Sequence, residues 1–192
     1  MTIFQRLEGE FIRLRPLHIK DAELTFSWRN GGRTKYLNKS AANVFEQSKW
    51  IESRPDSELN FIIELNNGLS VGMISLINID HTNHHAESSR FLIGNEDAVK
   101  GIPAAVESMK LLYKLAFDQL KLVRIFGTVA ENNALMIKWQ KYLGMKEEGR
   151  LRMHLYQDGK YFDAVCLGLL VNDYKRITLP KMNTLIAAAR HR

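Results

Sequence analysis

Two helix starts in this chain have residue types and spacing that could do chemistry. Lys100-Gly101-Ile102-Pro103 opens one apolar helical stretch, and Glu131-Asn132-Asn133 opens another. Each follows an apolar run suited to a strand, Phe91-Leu92-Ile93 before the first and residues 123–129 before the second. The first amides of a helix have no intrahelical partner, and the helix dipole is positive there, so such a turn seats an anion. Two seats side by side suit a phosphate-bearing ligand with a second wall. Just upstream, His81, His84 and His85 are of the residue type suited to moving a proton. No carboxylate sits at a spacing that would complete a metal site with them.

The elements that must position these residues follow from hydrophobic period and turn residues. Phe11, Ile12, Leu14 and Leu17 predict a short strand, and Asp21 precedes a helix through Trp28 that Asn30-Gly31-Gly32 breaks. Residues 33–43 read as irregular, and a short helix over 45–53 carries Phe45, Trp50 and Ile51 on one side. Strands over 60–65 and 71–79 flank Asn66-Asn67-Gly68, a strong hairpin signal. A polar turn over 80–85 leads to a strand over 88–94. The long helix spans about 104–120, with Val106, Met109, Leu112, Tyr113, Ala116, Phe117 and Leu120 at helical spacing; Pro103 suits its first turn. A strand over 123–129 and a helix ending at Leu143-Gly144 come next. A second hairpin over 149–170 then turns at Gln157-Asp158-Gly159.

This order predicts an α/β (α+β) domain over residues 1–171, with one mixed, mostly antiparallel central sheet flanked by helices. Residues 172–192 form a C-terminal extension with an amphipathic helical pattern after Pro180. Hairpins replace most of the crossovers that a doubly wound dinucleotide fold requires.

Composition narrows the functional classes. The 192 residues are 45% hydrophobic and 25% charged, ordinary for a globular domain, and no apolar run is long enough to span a membrane. A single cysteine, Cys166, excludes an internal disulfide and a multi-cysteine zinc site; a cytoplasmic location is the simplest expectation. The N-terminus lacks a signal-peptide layout. The net charge of +6 fits an anionic ligand, but the cations are spread along the chain and no nucleic-acid-binding signature is present. A nucleic acid or membrane partner is therefore not expected.

Together these residues resemble the GNAT N-acetyltransferases. The likeness lies in residues 99–105 before the long helix, in Asn133 followed by Trp139-Gln140-Lys141-Tyr142-Leu143-Gly144-Met145, and in Ile12-Arg13-Leu14-Arg15-Pro16 through Trp28-Arg29-Asn30. It covers roughly residues 10–171 and points to the branch with ribosomal-protein N-terminal and amino-sugar-nucleotide acetyltransferases. The resemblance implies acetyl-CoA as co-substrate and no metal. It implies pyrophosphate contacts from Lys100, Gly101, Ile102, Pro103, Ala104 and Ala105, pantetheine pairing along Leu92, Ile93 and Gly94, and a cofactor contact from Asn133. Asn133 is equally readable as a plain N-cap.

Two departures stand out. The family's loop has a basic or amide residue, two variable residues, Gly, one variable residue, then Gly or Ala. Two alignments of it fit residues 99–105, and both lose a glycine to Pro103. Proline lacks an N–H, so a charge-assisted bond worth roughly 1.5–3 kcal/mol is at stake. Many relatives also place a tyrosine, as acid toward the leaving thiolate, where this chain has Gln140. Glutamine donates a hydrogen bond but releases no proton near neutral pH.

The resemblance makes Glu87 the candidate base, beside the histidine trio. Arg29, Asn30, Asn38, Lys39 and Ser40, with Arg150, Arg152 and His154, are candidates to line an acceptor cleft. The expected reaction is acetyl transfer to a primary amine of a small molecule, with an amino-sugar nucleotide favoured. A protein N-terminal acetyltransferase and a non-catalytic acyl-CoA-binding domain are the alternatives, and a homodimer is left open.

Overall fold

In a computed structural model, residues 6–31 and 41–191 are described. The elements are β1 (Leu7–Glu8), β2 (Ile12–Pro16), α1 (Ala22–Arg29), α2 (Val44–Glu52), β3 (Leu59–Leu65), β4 (Ser70–Asp80), β5 (His85–Ile93) and α3 (Ala104–Lys114). They continue with β6 (Arg124–Ala130), α4 (Ala134–Tyr142), β7 (Lys146–Gln157), β8 (Lys160–Leu170), α5 (Val171–Asp173) and α6 (Leu179–Ala187). One sheet runs in the order β1-β2-β3-β4-β5-β6-β8-β7, antiparallel throughout except where β5 meets β6. The fold is the expected mixed α/β architecture.

The main core fills the sheet face under α3. Met109, Leu112, Tyr113 and Ala116 pack there with Ile12, Leu14, Ile63, Ile74, Leu76 and Ile125. α3 ends in a wider turn over Leu115–Gln119, where Leu120 N–H reaches the Leu115 carbonyl at 2.9 Å. The C-terminal segment belongs to this core: Tyr174, Met182 and Ile186 are buried in it, and Tyr174 stacks on Phe117 at 4.7 Å. On the other face a smaller cluster of Ile62, Met73 and Leu92 is covered by Leu17, Trp28 and Trp50. There α2 packs through Gln47 and Ile51, one turn apart, with Gln47 Nε2 donating to Thr25 Oγ1 at 3.0 Å. Phe45, expected to share the packed side with Trp50 and Ile51, is 66% exposed under Lys49. Pattern alone gave a buried polar Gln47 no advantage over an aromatic.

Two buried carboxylates fix the frame. Glu107 in the first turns of α3 accepts the backbone N–H groups of Glu10, Phe11 and Ile12 at 2.6, 2.9 and 3.0 Å. This pins the helix start to the β1–β2 corner and places negative charge where the dipole favours it. Glu64 on β3 binds both Arg13 and Arg15, and Arg15 also forks onto Asp21 at 2.7 and 2.8 Å. No helix among the described residues is long and apolar enough to cross a membrane.

Burial raises the Asp21 and Glu64 carboxyls, but the arginine contacts outweigh it and hold both below the usual carboxylate range. Groups with depressed folded values contribute stability above their unfolded pKa, about 4, and lose it as the pH falls through the folded value. Arg15→Met leaves Asp21 without its guanidinium and should cost roughly 3–5 kcal/mol at neutral pH. The gap to wild type should narrow below about pH 4, where the carboxylates protonate. Urea denaturation at pH 7 and pH 3.5 checks this; equal losses at both would show that the pairs carry little of the stability.

Candidate functional site

The parallel contact in the sheet is short. β5 and β6 pair only through His85↔Arg124, Ala86↔Ile125 and Glu87↔Phe126. Past Glu87, β5 stays with β4 and β6 stays with β8, so the two strands part and leave facing edges unpaired. A bulge drives the divergence: Met73 faces Leu92 but Ser75 faces Ser89, so β5 carries one extra residue, with Arg90 at φ +52°. Such an insertion bends the bulged strand. Gly127 lies where the strands begin to part, and a Cβ there would approach the Ser88 carbonyl to 3.2 Å.

Gly94 N–H bonds to Val71 O at 2.8 Å, so the alternating ladder turns the N–H and C=O of Ile93 toward the open fork. Leu92 is instead buried against Ile62 and Met73. Gly94 has its N–H in the sheet, and a Cβ on it would run into the Trp28 ring. Of the three residues expected along this edge, Ile93 alone has its backbone directed into the fork by this alternation.

From the end of β5 a short turn over Asp97–Val99 leads to Lys100 and to Gly101 at φ +78°, a conformation suited to glycine. Nothing lies within 4 Å of a Cβ at Gly101, so the chain is open to approach there. Pro103 is the N-cap of α3: its carbonyl accepts the Glu107 N–H at 2.9 Å. It therefore stands one residue before the expected first-turn position. Among the described residues, the N–H groups of Ala104, Ala105 and Val106 have no protein acceptor. Lys100 is exposed and pairs with Asp97 at 2.7 Å. At the second helix start Asn133 caps α4, its Oδ1 accepting Met136 N–H at 3.3 Å.

Glu87 sits at the last paired position before the fork. Asn78 Nδ2 donates to its Oε2 at 3.0 Å from a bulge on β4, where Asn78 has φ +52°. Burial pushes the Glu87 carboxyl up, and Asn78 and the charge of Arg90 only partly offset this. The histidines lie at the closed end: His81 and His84 are exposed in the turn, and His85 Nε2 is 3.7 Å from Asp80. No group of three or more His, Cys, Asp or Glu among the described residues could hold a metal ion.

On the α3 face, Tyr113 OH donates to Gln140 Oε1 at 3.4 Å. Burial lifts the Tyr113 phenol to about 12, with the Ser88 hydroxyl opposing. Helical spacing marked Tyr113 as core and gave no sign that its hydroxyl meets Gln140. On the α2 face, Arg90 forks onto Glu58 at 2.8 and 3.1 Å and reaches Asn60 at 3.0 Å. Arg29, Arg54 and Arg90 lie 5.9, 4.4 and 5.2 Å from the Trp50 ring. Of this group, only Arg29 is among the residues expected from the sequence to line an acceptor cleft. Arg150, Arg152 and His154 are exposed on β7, where Arg150 pairs with Glu131 and Glu147. Asn38, Lys39 and Ser40 lie outside the described residues.

Known proteins share this sequence pattern and this fold. Residues 12–146 match the Acetyltransferase (GNAT) domain family. A Bacillus subtilis relative named "Putative ribosomal N-acetyltransferase YdaF" is 31% identical over 179 residues, 87% of this chain and 95% of its own length. The Vibrio cholerae spermidine N-acetyltransferase, solved with CoA and spermine, superposes with a TM-score of 0.78 at 22% identity, over 88% of this chain and all of that one. A GCN5-related N-acetyltransferase from Brucella melitensis gives 0.77 at 22% identity, over 91% of this chain and 82% of its own.

The contact between Gly94 and Trp28 joins α1 to the end of β5. Gly94→Ala should destabilise the domain by roughly 1–3 kcal/mol through overpacking. A thermal melt checks this, and an unchanged midpoint would show that Trp28 can swing away.

Proposed function

This chain belongs to the GNAT family of N-acetyltransferases, and we propose that it moves the acetyl group of acetyl-CoA to a primary amine of a small molecule, with Glu87 as base. The observation that carries the role of Glu87 is its place: a half-buried carboxylate with a raised pKa at the point where β5 leaves β6. The residues fit a pyrophosphate at the start of α3. Ala104, Ala105 and Val106 offer unpaired N–H groups, Gly101 keeps the approach open, and Lys100 adds charge at the rim. Ile102 turns the chain between them through its N–H to Val99 O at 3.0 Å. The pantetheine arm would pair like an added strand with Ile93 in the fork, and Asn133 would meet it from α4.

The chemistry follows from these placements. An aliphatic amine arrives protonated at neutral pH, and Glu87 accepts that proton. The free amine nitrogen then bonds to the thioester carbonyl carbon, the carbon–sulfur bond breaks with its electron pair on sulfur, and the second proton of the nitrogen leaves to solvent, giving a neutral amide and a thiolate. Gln140 accepts from the Tyr113 hydroxyl and donates from its amide N–H₂ to the Met136 sulfur at 3.9 Å; it supplies no proton. Thiolate is a stable leaving group near neutral pH, so the reaction tolerates this substitution.

A protein N-terminal amine is the second acceptor, favoured by the relative described as ribosomal. An amino-sugar nucleotide would need other contacts than Arg150 and Arg152, which are exposed on β7. Thiol release from acetyl-CoA, measured against small amines and against peptide N-termini, decides between the acceptors. Release with peptides alone would replace the small-molecule reading.

Glu87→Gln should lower kcat about a hundredfold or more with CoA affinity unchanged. Asn78→Ala removes a hydrogen bond that favours the carboxylate. The acid limb of kcat/KM should then move to higher pH, because activity is lost as pH falls through a pKa that is now higher still. An unmoved limb would remove Glu87 as the titrating base. Gly101→Glu should weaken CoA binding at least tenfold by charge repulsion at the α3 start, as calorimetry reads it; unchanged affinity would place the pyrophosphate elsewhere.

A further inference from the structure

We propose that the acceptor carries an anionic group, a carboxylate or a phosphate, recognised by Arg90 and Arg54 beside Trp50. This rests on the reading that the amine meets the thioester at the fork. Arg90 is the bulge residue of β5, three positions past Glu87, and its side chain leaves on the α2 face toward Trp50 and Glu58. Its charge also acts on Glu87, so the base and this guanidinium share one neighbourhood. A left-handed φ of +52° strains any residue with a Cβ, and glycine would adopt it freely. An arginine there indicates that its guanidinium is needed where the bulge aims it.

The charge arrangement is more than a clamp for α2. Among the described residues Glu58 is the one carboxylate paired with these two guanidiniums, Arg90 at 2.8 Å and Arg54 at 3.3 Å, while Asn60 Oδ1 also accepts from Arg90. Arg54 fills its other bonds with the Trp50 carbonyl at 2.7 Å and with Ser53 Oγ at a long 3.4 Å. Burial lowers the pKa of Arg29 on the same ring, and the charge of Arg90 adds to this. The side chains of Arg90 and Arg54 keep 18% and 22% exposure, so solvent reaches them. A polyamine would bring further cations to this face, whereas a carboxylate or phosphate would gain charge-assisted bonds to two arginines. The fold is shared with a spermidine acetyltransferase, but this face suits the opposite charge.

The test compares O-phosphoethanolamine, β-alanine, ethanolamine and spermidine as acceptors, by thiol release from acetyl-CoA. At least one anionic amine should exceed ethanolamine ten- to hundredfold in kcat/KM, with spermidine lowest. The better of the two anions tells phosphate from carboxylate. Arg90→Gln should erase the preference through KM, with the KM for acetyl-CoA unchanged. Glu58→Gln removes the competing carboxylate and should sharpen the preference, which a purely structural role for Arg90 would not produce. Ethanolamine or spermidine preferred over both anions would overturn the proposal, as would an undiminished preference in folded Arg90→Gln. If no amine is acetylated, calorimetry on the CoA-loaded protein still decides. Binding of an anionic amine that Arg90→Gln abolishes would uphold the recognition and sink the catalytic reading, and binding of neither anion would overturn the recognition itself.

Discussion

The site depends on the brevity of one strand pairing. β5 and β6 are parallel neighbours for three residue pairs and then separate. Each is held on its outer side by a longer antiparallel partner, so the fork cannot close by sliding either strand. The extra residue at Arg90 bends β5 away, and the lack of a Cβ at Gly127 lets the strands touch closely before they part. Two unpaired edges inside a sheet would ordinarily be a liability. Here the two edges open on a fork with room for an added strand, and Glu87 stands at the vertex.

The start of α3 must hold its position relative to that fork, and the buried acids do this. Glu107 takes three backbone donors from the β1–β2 corner, so the helix N-terminus is tied to the sheet by charge-assisted bonds rather than by apolar contact alone. The Arg15 network ties the entry of α1 to β3 in the same manner, and Trp28 then packs onto Gly94 at the end of β5. α1 and α3 are thus braced to the sheet from opposite faces.

The elements were legible where period and turn chemistry spoke clearly: the Asn66-Asn67-Gly68 hairpin, the long helix after Pro103, and the Asp158-Gly159 turn all stand where the residues put them. The site was legible only in part. Glu87 at the fork and the open amides at α3 followed from family motifs, but Gly94 serves the packing of Trp28 and Leu92 serves a small core. Neither role can be read from a motif, because each depends on a partner from a distant element. The arginine cluster was hidden for the same reason. Arg54, Glu58 and Arg90 read as scattered surface charges until α2 and a bulge bring them together, and a bulge leaves no mark in the sequence when its residue is not glycine.

Pro103 shows how placement changes the energetic account. As a first-turn residue in contact with phosphate it would remove a bond worth roughly 1.5–3 kcal/mol. As the N-cap it removes the outermost of the four amides that a helix start leaves unpaired, and Ala104, Ala105 and Val106 keep theirs. Its fixed φ also holds the chain at the bend between Gly101 and the helix, so less freedom is lost when an anion settles there. Proline in place of glycine therefore exchanges one peripheral donor for a pre-set entry to the helix. That exchange suits a seat whose main donors lie one residue deeper.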